Sequence, residues 1–63
     1  MPVIIMKAGK IPAEMKKELI EKLTSAASEV TNIPENAYTV LIEELDLDNI
    51  GVGGQVLSEK HAH

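Results

Sequence analysis

The chain lacks cysteine, arginine, tryptophan and phenylalanine, and it has one tyrosine among its 63 residues. Without cysteine it can form neither a disulfide nor a zinc-thiolate site, the usual reinforcements of so small a domain. A formal net charge of -4, with no aromatic residue among the lysines, argues against nucleic-acid binding. Self-association remains as the way to bury enough apolar surface, and we expect it here.

Long hydrophobic runs are also absent. No apolar segment approaches the length that spans a bilayer, so we expect no membrane association. Residues 1–7 have neither the basic segment nor the small-residue cleavage site of a signal peptide. We therefore expect one soluble, cytoplasmic domain over residues 1–63, with a flexible tail from about residue 59.

The spacing of hydrophobic residues changes along the chain and divides it into predicted strand and helix segments. Residues 2–8 are apolar and β-branched, which predicts a strand buried on both faces. Residues 12–31 show helical spacing and predict an amphipathic helix. Pro12 suits its first position, with Ile11 as N-cap, and Asn32 suits a left-handed end. The predicted apolar stripe consists of Met15, Leu19, Leu23, Ala26, Ala27 and Val30.

A second strand is predicted over residues 38–45, which are rich in β-forming side chains. Strand, helix and strand make a β-α-β unit with parallel strands and a right-handed crossover. Glycines at 51, 53 and 54 predict a hairpin after it. The expected fold is α+β in two layers. Because one helix covers only one face of the sheet, another copy of the chain must cover the other.

Pro2 is the sharpest candidate for chemistry. Removal of Met1 leaves a free secondary amine at the start of the chain. An α-amino group has an ordinary pKa of about 7.7–8, and partial burial beside apolar residues lowers the pKa further. Such an amine is a good general base near pH 7. If Met1 is retained, the Pro2 nitrogen is a tertiary amide without basicity.

Several segments in order strengthen this interpretation. They are residues 2–5, Gly9 with Lys10, and residues 17–24, 40–44 and 49–54. Together they resemble the 4-oxalocrotonate tautomerase family over residues 2 to about 58. The resemblance implies a β-α-β protomer with a C-terminal hairpin, assembled as a homo-hexamer, a trimer of dimers. It also implies an amino-terminal proline that shuttles a proton in keto–enol tautomerisation without a cofactor.

The resemblance also implies site residues. Pro2 matches the catalytic proline, and Lys10 stands where the 4-oxalocrotonate enzyme has an arginine that binds a dicarboxylate. Thr39 falls where that enzyme has a second arginine, and Ile50 where it has a phenylalanine that keeps the pocket apolar. Lysine offers a carboxylate a point charge and threonine a neutral hydrogen-bond donor, whereas arginine offers a planar guanidinium with two parallel N–H donors. For Thr39, an ordinary strand threonine is the competing interpretation; for Lys10, an exposed loop lysine.

These departures shift the expected substrate. A neutral hydrogen bond contributes about 0.5–1.5 kcal/mol against roughly 1.5–3 for a charged one, so Thr39 weakens carboxylate binding. We expect a tautomerase acting on a small 2-oxo or 2-hydroxy-enoic carboxylate, tuned toward monocarboxylates. Two alternatives stay open: dehalogenation or decarboxylation, as elsewhere in the superfamily, or a non-catalytic oligomeric module.

Other motifs favour ordinary structure. Residues 51–54 lack the Lys-Ser/Thr of a phosphate-binding loop and precede no helix pattern, so a tight hairpin is favoured. Asp46, Asp48 and Gly51 match three positions of a calcium loop, but Ile50 and Leu57 stand where ligands are needed. His61 and His63 lie on the tail. We expect no metal and no cofactor.

Overall fold

The computed structural model describes residues 1–60, so the predictions for His61 and His63 lie outside the described residues. The order of elements is strand, helix, strand, hairpin and a final helical turn. Their bounds are β1 Val3–Ala8, α1 Ala13–Thr31, β2 Thr39–Glu44, β3 Gly51–Val52, β4 Gln55–Val56 and α2 Leu57–Lys60. Two short 3₁₀ turns, Glu35–Ala37 and Leu47–Asn49, precede β2 and β3. The predicted α+β fold is confirmed, while α2 was not predicted.

The central element is a parallel pair of strands. β1 and β2 run in register from the Val3–Thr39 pair to the Ala8–Glu44 pair. A backbone hydrogen bond extends the ladder at each end: Thr39 N–H donates to the Pro2 carbonyl at 3.1 Å, and Leu45 N–H to the Ala8 carbonyl at 2.8 Å. Parallel pairing requires a crossover, which α1 supplies. The β-α-β prediction is therefore confirmed.

Helix α1 begins one residue later than predicted. Pro12 is the N-cap, in extended backbone, and its carbonyl accepts the Lys16 N–H at 3.1 Å. The prediction of Ile11 as N-cap and Pro12 as the first helical residue is wrong. The helix ends at Asn32 in the left-handed conformation, φ 62°, as predicted.

The face that α1 turns toward the sheet is rotated from the predicted stripe. Leu19, Leu23 and Ala27 are half-buried as expected, but Val30 is 82% exposed and Met15 and Ala26 are also exposed. The half-buried face also includes three polar residues: Lys16, Thr24 and Ser28. Ser28 is accommodated because its hydroxyl donates to the Ile33 carbonyl at 2.7 Å. A stripe chosen from apolar residues alone misses such polar members.

The opposite face of the sheet is open. Val3, Ile5 and Leu41 are exposed there, Ile5 by 56%. Among the described residues none is buried, and the radius of gyration is 15.0 Å. A compact domain of this length has a radius of gyration of about 11 Å. The described part of the isolated chain therefore does not enclose a hydrophobic core of its own.

The hairpin is the tight turn that the glycines predict. β3 and β4 pair antiparallel, with Gly51 opposite Val56 and Val52 opposite Gln55. The two turn residues, Gly53 and Gly54, have φ of 61° and 82°. Two positive φ angles are typical of a type I′ turn, whose twist matches that of the strands.

Replacing Gly53 by alanine should destabilise this hairpin. A side chain at positive φ costs about 1–2 kcal/mol per residue. We expect Gly53→Ala to lower the free energy of unfolding by about 1 kcal/mol, measured by urea denaturation. Gly51→Ala is the matched control, because its added Cβ would lie at an ordinary 3.8 Å from the Gln55 carbonyl oxygen. Equal losses in the two variants would contradict the turn assignment.

Candidate active site

Pro2 lies immediately before β1 and is half-buried. Its carbonyl accepts the Thr39 N–H at 3.1 Å, so the first residue of β2 fixes the backbone of Pro2. Met1, the one residue before it, is 90% exposed. The structure thus brings Pro2 and Thr39 together at the amino end of the sheet.

Tyr38 anchors this end of the sheet, and sequence analysis missed it. Its hydroxyl lies 3.1 Å from the Ala27 carbonyl oxygen and contacts the Thr31 hydroxyl, and its single proton is donated to one of these two oxygens. Thr31 Oγ1 also donates to the Ala27 carbonyl at 2.8 Å. The network ties the last turn of α1 to the start of β2. The signal in the sequence was a single aromatic residue placed directly before a strand.

Lys10 lies beyond the opposite end of β1. Its Nζ lies 3.7 Å from Asp46 Oδ1. Both residues line a cavity of about 720 Å³ between the β1–α1 connection and the segment that follows β2. Asp48 and Ser58 line the same cavity. A cation beside an open cavity is suited to bind a small anion.

Glu44 fixes the connection that carries Lys10, and it too was missed. Its Oε2 accepts the Ile11 N–H at 3.0 Å, and its Oε1 lies 3.3 Å from Lys16 Nζ. The Ile11 N–H and then the Lys16 ammonium hold the pKa of the Glu44 carboxyl below its ordinary value. Glu44 thus fixes the residue that precedes the N-cap of α1, while Pro12 itself makes no side-chain capping hydrogen bond.

Ile50 is half-buried and follows the turn that begins after Asp46. Its carbonyl accepts the Leu57 N–H at 2.7 Å, which joins the hairpin to α2. Ile50 therefore belongs to the part of the chain that follows the carboxyl end of β2, whereas Pro2 lies beside the amino end of β2. At about 3.3 Å per residue, β1 alone separates the two ends by roughly 17 Å. One chain does not bring its four predicted site residues together.

Within residues 1–60, no three His, Cys, Asp or Glu side chains are grouped so that they could hold a metal ion. No helix in that range is both long and apolar enough to cross a membrane.

Comparison with known proteins gives one consistent result. A family model described as tautomerase enzyme matches residues 2–60. A protein named "probable tautomerase" from Bacillus cereus is 49% identical over 47 residues, which cover 75% of this chain and 77% of that one. The 2-hydroxymuconate tautomerase of Bacillus subtilis is 41% identical over 46 residues, covering 73% and 74%. The crystal structure of YwhB, a homologue of 4-oxalocrotonate tautomerase, has a TM-score of 0.87 at 36% identity, covering 92% and 97%.

The contacts of the Glu44 carboxylate with Ile11 and Lys16 predict that the stability of the fold depends on pH in the acid range. Because the pKa of Glu44 is depressed in the folded state, the carboxylate stabilises the fold fully above the unfolded pKa of about 4.3. This contribution is lost as the pH falls through the lower folded pKa. Glu44→Gln should lower the thermal midpoint at pH 7, and the deficit should shrink toward about pH 3.

Glu43→Gln is the matched control for this measurement. Glu43 precedes Glu44 on β2 and lies 3.8 Å from Lys7 Nζ, with both side chains largely exposed. Exposed pairs contribute about 0–1 kcal/mol, so this variant should change the midpoint less. If Glu44→Gln and Glu43→Gln had the same thermal midpoint at every pH, the contacts of Glu44 would have no role in stability beyond that of an exposed ion pair.

Proposed function

The chain belongs to the tautomerase family and is an isomerase of the 4-oxalocrotonate tautomerase type, and we propose that it converts a small 2-hydroxy-enoic carboxylate to its 2-oxo form with Pro2 as the base. The observation that carries the proposal is the placement of Pro2. It is half-buried, its carbonyl accepts the Thr39 N–H, and the preceding residue, Met1, is exposed. An aminopeptidase can reach Met1 there and release the proline nitrogen as a secondary amine.

The proposed reaction needs one base and one anchor. The neutral Pro2 nitrogen takes the proton of the enol hydroxyl, and the electron pair moves through the conjugated system to form the carbonyl. The protonated proline then returns a proton to a carbon of that system, so no atom is gained or lost. Lys10 binds the carboxylate of the substrate and stabilises the negative charge of the dienolate.

A second copy of the chain must supply the anchor. Pro2 and Lys10 lie beyond opposite ends of β1, which is itself roughly 17 Å long, so they are too far apart for one small substrate to contact both. Antiparallel association of two chains places the Pro2 end of one sheet beside the Lys10 end of the other. The proposed site is therefore shared between chains.

The packing of the single chain supports the same assembly. The open face carries Val3, Ile5 and Leu41, and none of the described residues is buried in the isolated chain. Association that covers this face completes the core and also brings the two parts of the site together. We propose the homo-hexamer, a trimer of dimers, that the family resemblance implies.

Substitution of Pro2 tests the base. Phenylenolpyruvate is offered to protein whose intact mass confirms that Met1 is absent, and ketonisation is followed by absorbance. General-base catalysis contributes about 10²–10⁴-fold, so Pro2→Ala should lower kcat/KM by about 10²-fold or more. Pro34→Ala is the matched control, since Pro34 is exposed, begins the 3₁₀ turn Glu35–Ala37 and has no proposed role in the reaction, so its loss should leave kcat unchanged.

Two outcomes would contradict the assignment. One is an equal rate in wild type and Pro2→Ala. The other is full activity in protein that retains Met1, because an amide nitrogen cannot accept the proton.

Charge on the open face tests the assembly. An unpaired carboxylate buried among apolar side chains is strongly unfavourable, so Ile5→Asp should abolish association. Light scattering should give wild type the mass of several chains of 6.8 kDa, six in the proposed assembly. Val30→Asp is the control, because Val30 is an exposed apolar residue on α1 away from the sheet. A wild-type monomer at micromolar concentration would overturn the proposal.

A further inference from the structure

The cavity at the carboxyl end of the sheet combines one cation with two acidic side chains. Lys10 lies at its edge with Asp46 and Asp48. Glu44 is also within electrostatic range of Lys10, whose charge contributes to stabilising the Glu44 carboxylate. An anion that enters this cavity therefore meets more negative than positive charge.

Asp46 is the member that engages Lys10 directly. The two charged groups are 3.7 Å apart, and their side chains are 81% exposed for Lys10 and 65% for Asp46. Exposed pairs change an equilibrium constant by a factor of about one to five. Such a pair is weak enough for a substrate carboxylate to displace, and strong enough to weaken the binding of that carboxylate.

The remaining contacts of Asp46 leave its side chain available for this role. Asp46 begins the 3₁₀ turn Leu47–Asn49, but only its carbonyl takes part, accepting the Asn49 N–H at 2.8 Å. Its carboxylate makes no capping hydrogen bond. Replacing Asp46 by asparagine therefore removes the charge without removing a contact of the turn.

We infer that Asp46 is a specificity-determining residue, which lowers the affinity of the site for carboxylates by competing with them for Lys10. The inference rests on the proposed function in taking Lys10 as the substrate anchor. The penalty is larger for a dicarboxylate than for a monocarboxylate, because a second negative charge meets Asp48, and Lys16, the cation beside Glu44, is already paired with that carboxylate at 3.3 Å. The same competition adds to the effect of having no arginine in the chain.

Steady-state kinetics of the processed, assembled protein test this inference. Asp46→Asn should lower KM by about two- to fivefold for phenylenolpyruvate, and by more for 2-hydroxymuconate, with kcat unchanged. Asp48→Asn is the matched control, since it removes the same charge from the same cavity without touching the pair. Its effect on KM should be smaller. Equal effects would show that only the overall charge matters and would overturn the inference.

A double substitution isolates the competition. Lys10→Ala should raise KM several-fold, and Asp46→Asn should then bring no further improvement, because there is no cation left to release. An undiminished gain in the Lys10→Ala background would also overturn the inference.

A binding measurement separates this inference from the proposed reaction. 3-Phenylpropanoate has a carboxylate but no enol, and its dissociation constant can be followed by the NMR shift of the Lys10 amide. We expect Asp46→Asn to tighten binding about two- to fivefold, and Asp48→Asn to tighten it less. Ketonisation absent from wild type would refute the reaction alone. Unchanged binding in Asp46→Asn would refute the role of Asp46 alone.

Discussion

The parallel ladder between β1 and β2 is the constraint on which the rest of the structure depends. Its register places Thr39 beside the Pro2–Val3 end and Glu44 beside Ala8. Each group with a proposed role in the reaction lies at one or the other end of that ladder. Parallel strands also require a crossover helix, so the same pairing makes α1 cover one face and leaves the other open. The separation of the proposed base from the proposed anchor and the proposed association with a second chain have one origin.

Each end of the ladder is fixed by a hydrogen-bonded side chain from outside the predicted site. Tyr38 joins the start of β2 to the last turn of α1, and Glu44 joins the end of β2 to the connection before α1. These two residues hold the backbone, while Lys10 stays exposed and paired only with an acidic neighbour. The backbone at the amino end of the sheet is therefore held in place, and at the carboxyl end the exposed Lys10 ammonium is available to an anion.

The sequence was sufficient for β1, α1, β2 and the hairpin and for their order, because each depends on local information, whereas α2 was not predicted. Hydrophobic period separates strand from helix, Asn32 marks a left-handed end, and the Gly53-Gly54 pair marks the turn. The orientation of α1 was not predictable in this way, since Lys16 faces the sheet through an ion pair with Glu44 on β2, and Ser28 is accommodated by a hydrogen bond to the Ile33 carbonyl beyond the end of the helix. The pairing of Lys10 with Asp46 was likewise hidden, because it joins two loops that only the folded sheet brings together.

The way in which the ladder reaches Pro2 has a chemical consequence. The bond from Thr39 uses the carbonyl of Pro2 and leaves its nitrogen outside the sheet. On the proposed mechanism Met1 blocks the amine for as long as it remains attached. Removing it changes a neutral amide into a base without breaking that hydrogen bond. Folding and activation are thus separate events, and any peptide fused ahead of Pro2 would preserve the first while blocking the second.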